Sequence, residues 1–258
     1  MIYKGPLLDP PCRGWTKDLP LPNEASNEEH ITTAPAVNWM NEIHLELPRK
    51  NFHHRNLMLT FSLLSLLLLL PPIAIITDSL ISNDYSFLGS GVATVIIVIW
   101  GATFCFRLAA SPPRDEPIRF NRARQKIYAY NFKYCWWKSF GHMPTEVVSY
   151  SWSDVRAESW RERASFQGAS VLKWGVMLSI VESGTNKVID RFPLSSLGLD
   201  EAVWTYVCTY MQEGPTSLPL PNPPLDHNDV LWCNIAKRLA PKVEWPAEID
   251  RESRTAPS

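Results

Sequence analysis

Residues 57–77 read LMLTFSLLSLLLLLPPIAIIT, and this uncharged run decides the architecture of the chain. A helix rises about 1.5 Å per residue, so the run covers roughly 30 Å, the thickness of the hydrocarbon core of a bilayer. A buried core helix needs polar positions at helical spacing, whereas residues 66–70 are apolar on every face. A cleavable signal peptide lies nearer the start of a chain. The run therefore predicts a membrane-spanning helix, kinked where Pro72 removes a backbone donor.

A second apolar run, FLGSGVATVIIVIWGATFCF at residues 87–106, follows after a short polar connection. Gly89 and Ala93 stand four residues apart, so one helix face lets a neighbouring backbone approach closely. The two runs predict a transmembrane helical hairpin over residues 51–110, with its spans at residues 57–77 and 87–106.

The charges that flank the two runs predict the orientation of the hairpin. The connection holds Asp78 and Asp84 but no lysine or arginine. Basic residues lie on the other side of both runs, at Arg49, Lys50, Arg55, Arg107, Arg114, Arg119, Arg122, Arg124 and Lys126. Because lysine and arginine are retained in cytoplasmic segments, both termini are predicted to lie in the cytoplasm.

A soluble domain is predicted at residues 114–214, and its first part reads as strands. The strand candidates combine β-branched and aromatic residues with period-two alternation. They are PIRFN, KIYAYNF, EVVSYSW, VLKWGVMLSIVE and KVIDRFPL, the last two joined by a Gly184-Thr185-Asn186 turn. This order predicts a run of antiparallel strands.

The end of this domain changes to a helical period. Asp200 is suited to an N-cap and Gly214 to a stop, which predicts a helix at residues 199–214. An apolar stripe at helical spacing is formed by Val203, Tyr206, Val207 and Tyr210. The fold class predicted for this domain is therefore α+β, an antiparallel β barrel or sheet closed by a C-terminal helix, in a pleckstrin-homology-like arrangement.

Proline-punctuated segments flank these regions, at residues 1–50 and at residues 215–258, and the sequence LPLPN occurs in both. In the first segment, Glu42, His44 and Glu46 alternate along a strand. This pattern suits either a metal site or an exposed strand face. With no third ligand cluster in support, an exposed face is the preferred interpretation and no metal site is predicted.

Composition excludes several classes of function. The net charge of −1 gives no basic bias for nucleic acid. The five cysteines lie far apart without a C-x-x-C pair, and they are predicted to be reduced thiols. No nucleotide-binding, zinc-protease or serine-hydrolase motif is present. We therefore predict a protein with no catalytic residues and no cofactor.

One part of the sequence resembles a known family. The stretches RDEPIRFNRARQKIYAY and EVVSYSWSDVRAES, with the hairpin that ends in KVIDRFPL, resemble an uncharacterised bacterial family of two-span inner-membrane proteins. The likeness runs from about residue 50 to 214, without the proline-rich ends. Members of this family tend to be encoded beside type VI secretion effectors. The resemblance implies a multi-pass protein of the bacterial inner membrane that is an immunity protein or a secretion accessory.

Three functions remain open, and each points to its own residues. An immunity protein would bind a cognate effector, and Trp136 and Trp137 are the candidate contacts because tryptophan is enriched at interface hot spots. A secretion accessory or adaptor would bind a secretion component instead. A lipid-reading module would contact anionic headgroups through the basic stretch Arg119, Arg122, Arg124 and Lys126, although the same charges serve as the orientation signal.

Overall fold

The structure is a computed structural model that describes residues 5–24, 35–49, 55–133, 141, 143–166, 169–194, 201–219, 221, 226 and 228–257. Up to residue 110, the elements are strands β1 (Trp15–Asp18), β2 (Trp39–Met40) and β3 (His44–Leu47), then helices α1 (Arg55–Ser65), α2 (Leu70–Ser82) and α3 (Leu88–Ala110). Strands β4 (Ile118–Asn121), β5 (Lys126–Phe132), β6 (Thr145–Ser151), β7 (Val155–Phe166), β8 (Ala169–Val181) and β9 (Val188–Pro193) follow. Helices α4 (Ala202–Glu213), α5 (Ile235–Leu239) and α6 (Ala247–Arg254) complete the described part.

Two continuous helical stretches, Arg55–Ser82 and Tyr85–Ala110, are long and apolar enough to cross a membrane. The first joins α1 to α2 through a 3₁₀ turn at Leu66–Leu69, directly before two prolines that lack a backbone donor. The two stretches pack closely at Gly91, where an added Cβ would lie 2.9 Å from Ile76 Cγ1. Gly89, predicted to make this contact, has nothing within 4 Å.

The strands form two antiparallel sheets. One has the order β2-β3-β4-β5-β6 and the other the order β1-β7-β8-β9. The prediction of antiparallel strands is confirmed, but a closed barrel is wrong for the described residues. A 3₁₀ turn at Trp152–Asp154 carries the chain from β6 to β7, and these two strands belong to different sheets. Trp152 is 2% exposed and packs against Phe120 and Trp204, so the turn is held in the core between the sheets.

Helix α4 packs into the core that the two sheets share. The predicted stripe of Val203, Tyr206, Val207 and Tyr210 is buried along its whole length. Tyr210 donates a hydrogen bond to the backbone carbonyl of Asn41, so α4 also ties down the segment before β3. Gly214 ends the helix with a φ of +93°, a conformation that favours glycine.

The helical hairpin is inserted between two neighbouring strands. Strands β3 and β4 pair directly, with Leu47 opposite Ile118, although the α1–α3 hairpin separates them in the chain. Arg49, 2% exposed, fixes the exit from β3. Its Nη2 donates to the Tyr130 carbonyl at 2.8 Å, and its backbone N–H donates to Asp115 Oδ1 at 2.9 Å. The sheet that contains β4 and β5 therefore also includes strands that precede the hairpin, and the residues that flank the hairpin on either side, Arg49 and Asp115, are hydrogen-bonded to each other.

Candidate functional site

The basic stretch predicted to meet lipid headgroups lies on β4, on β5 and in the turn between them, beneath the C-terminal helix α6. Arg119 is only 1% exposed. Its Nε donates to Glu46 Oε2 at 2.5 Å and its Nη1 to Asp250 Oδ1 at 2.7 Å. Its guanidinium carbon lies 4.2 Å from the centroid of the Trp245 ring, a cation–π contact. Protein groups therefore enclose Arg119, and a headgroup would reach it only if α6 moved away.

Two further residues of the stretch also contact the C-terminal segment. Arg124 Nε donates to the backbone carbonyl of Thr255 at 2.9 Å. Lys126 Nζ lies 2.8 Å from Glu252 Oε1, which also accepts a hydrogen bond from the hydroxyl of Tyr128. These two donors, Lys126 first, lower the pKa of Glu252 because they stabilise its charged form.

Arg122 pairs with the segment before β3, whereas the other three predicted residues contact the C-terminal segment. Its Nη1 lies 3.8 Å from Glu42 Oε2, and its side chain is 33% exposed. An exposed pair at this distance is worth about 1 kcal/mol or less. Lipid binding by the stretch stays a prediction, and the side chains of Arg122 and Lys126, 33% and 45% exposed, leave room for it.

The prediction of an exposed strand face at Glu42, His44 and Glu46 is wrong for the two residues that lie on β3, whereas the side chain of Glu42 is 69% exposed. His44 and Glu46 are each 4% exposed because α6 packs over this side of the sheet. Burial, and then the positive charge of Arg119, lower the pKa of His44 to about 4. Within the described part of the chain, no group of three or more His, Cys, Asp or Glu residues could hold a metal ion.

The buried His44 predicts a dependence of stability on pH. The pKa of His44 is lower in the folded chain than in the unfolded chain. As the pH falls from about 6.5 to about 4, the unfolded chain therefore binds a proton at His44 while the folded chain does not. The free energy of unfolding should fall across this window by up to about 3 kcal/mol. Denaturant titration of the full chain in detergent between these pH values measures the loss.

A His44→Gln variant provides the control for this titration, because the amide does not ionise. The variant should lose less stability over the same window, and the lowered pKa of the Glu252 carboxylate contributes to the slope that remains. Parallel pH profiles for wild type and variant would contradict the assignment to His44.

An open groove lies where the inner face of the four-stranded sheet extends beyond the core. Residues paired across an antiparallel ladder point to the same side. Ala157 pairs with Leu178, and both are buried in the core. Four positions further along β7 and β8, Arg161 pairs with Trp174 on the same face, and Trp174 is 43% exposed. The strands thus continue the apolar inner face beyond the part that α4 covers.

The groove has a volume of about 420 Å³ and combines apolar and charged lining groups. Leu172 and Trp174 supply its apolar surface, and Arg161 lies beside them. Lys17 of β1 and Glu201 before α4 form an ion pair of 2.7 Å that also lines it. Both side chains are well exposed, so breaking this ion pair costs little free energy. Lys17 and Glu201 are then able to bind polar groups of a ligand instead of each other. An aromatic side chain beside exchangeable charges suits recognition of a protein segment.

The predicted contacts Trp136 and Trp137 lie outside the described residues. Trp174 was missed, although the sequence contained a signal for it. In VLKWGVMLSIVE, the residues Leu172, Trp174, Val176, Leu178 and Ile180 alternate along one strand face. The alternation extends over more residues than a strand of usual length contains. One end of this face is therefore expected to extend beyond the core and to be accessible.

A buried polar cluster joins the N-terminal segment to the same sheet. Glu158, which is 0% exposed, accepts hydrogen bonds from Ser179 Oγ at 2.5 Å and from the backbone N–H of Cys12 at 2.9 Å. Arg191 Nη2 lies 3.2 Å from Glu158 Oε2. Burial, and then the charge of Glu158, raise the pKa of the Cys12 thiol to about 12. A thiol that stays protonated is a poor nucleophile. The cluster therefore has a structural role, because its hydrogen bonds hold the segment before β1 against the sheet.

Comparison with known proteins places most of the described domain in a family. Residues 95–257 match DUF6708, described as a family of unknown function, over more than half of the chain. The chain belongs to the DUF6708 family. The DUF6708 match begins within α3 and includes α5 and α6, so the C-terminal segment, predicted to fall outside the resemblance, is part of the family domain. No curated protein and no solved structure matches the chain.

Proposed function

We propose that this DUF6708 protein is a membrane-anchored, non-enzymatic binding protein whose soluble domain recognises a protein partner at the open groove. The observation that carries the proposal is the continuation of the inner sheet face beyond the core, where Trp174 is 43% exposed beside Leu172. Exposed tryptophans at the end of a rigid sheet are typical anchors of protein interfaces. The buried Cys12 with its raised pKa adds no evidence for a reactive nucleophile.

The proposed anchor is the helical hairpin, as a multi-pass insertion in a bacterial inner membrane. Its exposed surface supports insertion, because Leu63, Leu67, Ile81 and Ile97 are each more than half exposed in the isolated chain. The distribution of basic residues supports a cytoplasmic position for both termini and for the groove.

The partner class follows from the sequence resemblance. In its most specific form, the proposal is an immunity protein that neutralises a cognate type VI secretion effector. The loop between α2 and α3 is too short to form an interface of about 800 Å² per partner. The effector would therefore act in the cytoplasm or within the membrane. A secretion adaptor would use the same groove with a different partner.

A lipid-reading scaffold is the weaker alternative. A pleckstrin-homology-like arrangement is compatible with antiparallel strands that are followed by α4. However, the predicted headgroup ligands Arg119, Arg124 and Lys126 are held by the C-terminal segment, and Arg119 is buried beneath it. The groove is thus the better supported site.

Photo-cross-linking of the full chain in cells tests the groove. A photoreactive phenylalanine derivative replaces Trp174, and in a matched variant it replaces Ile189, which is 58% exposed on the edge strand β9 of the same sheet. Cells co-express one neighbouring effector gene at a time. We expect a cross-link to an effector from position 174 and at least about tenfold less from position 189.

Protection of the producing cell provides the functional readout. Trp174→Ala should reduce protection strongly, since central aromatic contacts are worth about 2 kcal/mol or more, while Ile189→Ala should protect like the wild type. Equal protection by the two variants at matched membrane levels would exclude Trp174 from the interface. No protection by the wild type against any linked effector would exclude the immunity function.

A further inference from the structure

Helix α5 lies against the base of the helical hairpin. Ala236 is 0% exposed and packs with Leu59 of α1 and Ala109 of α3. Its backbone N–H donates to Asn56 Oδ1 at 3.2 Å. Because Asn56 is the second residue of α1 and Ala109 the second last of α3, α5 lies at the level where both helices leave the soluble domain.

The outer side of this segment is apolar and uncovered. Leu231 and Trp232 are 75% and 82% exposed, and Ile235 and Leu239 are each more than half exposed. No other tryptophan among the described residues is as exposed as Trp232. Isolated exposed apolar residues are ordinary, but four within nine residues form a patch that marks an interaction surface.

This apolar side is continuous with the apolar surface of the hairpin. The exposed residues of α1 begin at Leu57 and Phe61, and those of α3 end at Phe106, which is the depth at which Ala236 contacts both helices. The patch therefore adds to the rim of the same apolar surface that the bilayer would cover.

The polar groups of the segment suit a membrane interface. Lys237 and Arg238 lie in the last turn of α5, next to its exposed apolar residues. Long basic side chains keep their charge at the headgroups while their stems cover apolar surface. Tryptophan is enriched at this boundary because its ring is apolar and its N–H is polar.

We propose that residues 231–239 form an interfacial anchor that lies in the headgroup–acyl boundary on the same side as the soluble domain. The ligand is the lipid bilayer itself, and the contact is made by Leu231, Trp232, Ile235 and Leu239. This inference rests on the proposed insertion of the hairpin. The membrane contact then has three parts: the two spans of the hairpin and α5, which lies beside them where they leave the bilayer.

The anchor also fixes the soluble domain relative to the membrane. Arg114, which leads from α3 into β4, donates from Nη1 to the carbonyl of Asn228 at 2.7 Å and from its backbone N–H to that of Pro241 at 3.0 Å. These bonds hold both ends of the segment against the connection to the hairpin. The domain is thereby kept from rotating freely about its two connections.

Depth-dependent fluorescence quenching tests the anchor. The full chain, with its native cysteines replaced by alanine, receives single labelling sites by Trp232→Cys, by Ile189→Cys on the soluble domain or by Ile96→Cys in the middle of α3. Each protein carries an environment-sensitive fluorophore and is reconstituted in phosphatidylcholine–phosphatidylglycerol vesicles. Quenchers are a nitroxide near the glycerol end of an acyl chain, a nitroxide near the chain terminus, and aqueous iodide. A Leu231→Cys variant gives an independent site should Trp232→Cys disturb folding.

We expect the label at 232 to be quenched by the shallow nitroxide roughly threefold more than the label at 189, and to be protected from iodide. The label at 96 should be quenched most by the deep nitroxide. Iodide access at 232 with deep quenching at 96 would overturn the anchor and leave the insertion intact. A label at 232 that is shielded from both iodide and nitroxide lipid would show protein covering the patch, and would also overturn the anchor. Absence of deep quenching at 96 would overturn the insertion and the anchor together.

Discussion

Replacing Arg119 by methionine is expected to lower the free energy of unfolding by about 3–5 kcal/mol, the usual loss when one partner of a buried ion pair is removed. The substitution leaves Glu46, 4% exposed, without its 2.5 Å partner. It also removes one hydrogen bond each from the side chains of Asp250 and Ser253 of α6, both of which accept from Arg119 Nη1. Helix α6 should therefore detach from the sheet before the rest of the domain unfolds.

Denaturant titration and amide hydrogen exchange on the full chain in detergent measure these two effects. Arg124→Met is the matched control, because the side chain of Arg124 makes exposed hydrogen bonds to the C-terminal segment, and its loss should be about 1 kcal/mol or less. Adding Glu46→Gln to Arg119→Met should recover part of the stability, since the uncompensated buried charge is then removed. Equal losses for Arg119→Met and Arg124→Met would mean that the buried network contributes little.

Val207→Asp is expected to unfold the soluble domain while the helical hairpin remains helical. Val207 is 0% exposed in the core that α4 shares with both sheets. An aspartate there has no partner, and burying it costs more than about 4 kcal/mol, a large part of the 5–15 kcal/mol that stabilises a typical domain.

Near-UV circular dichroism and limited proteolysis of the full chain in detergent test this expectation. Thr205→Asp, half-buried in the first turns of the same helix, is the matched control, because an acidic group near a helix N-terminus is tolerated. The control should keep its tertiary signal and its protease resistance. Unchanged protease resistance of Val207→Asp would contradict the burial of this side of α4.

Local patterns were sufficient to predict the helices of the hairpin, most strands and the stripe of α4. Each is encoded within one short window, such as the period-two alternation in β8 or the spacing of Val203, Tyr206, Val207 and Tyr210. The pairing of β3 with β4 could not be predicted in this way. Nothing in HLEL indicates that its partner lies beyond two apolar helices, because only long-range packing decides that register.

The basic stretch shows how long-range contacts change an interpretation. Near a predicted membrane helix, the charges of Arg119 and Lys126 indicate lipid or an orientation signal. Their actual partners, Glu46, Asp250 and Glu252, are distant in sequence and meet them only when the C-terminal segment folds back. Helix α6 is rich in charged residues, a composition typical of a solvent-exposed helix. Its contacts with the sheet also depend on residues that are distant in sequence.

The candidate groove was only partly accessible to prediction. The aromatic contacts predicted from the sequence, Trp136 and Trp137, lie outside the described residues, and the groove proposed here contains Trp174, which is 43% exposed. Its position depends on how far β7 and β8 extend beyond α4, which is a property of the assembled sheets. A list of aromatic residues alone could not distinguish Trp174, half exposed, from Trp152, which is buried in the core.

The central claim, a soluble binding domain held at a membrane by the inserted hairpin, is tested most directly by labelling of single cysteines in intact cells. Ser82→Cys marks the end of α2, and Ile189→Cys marks the exposed edge of the soluble domain. With an impermeant maleimide and a permeabilised outer membrane, we predict labelling of position 82 in intact cells and of position 189 only after lysis. Labelling of position 189 in intact cells, or failure of position 82 to react until lysis, would contradict the proposed insertion and orientation.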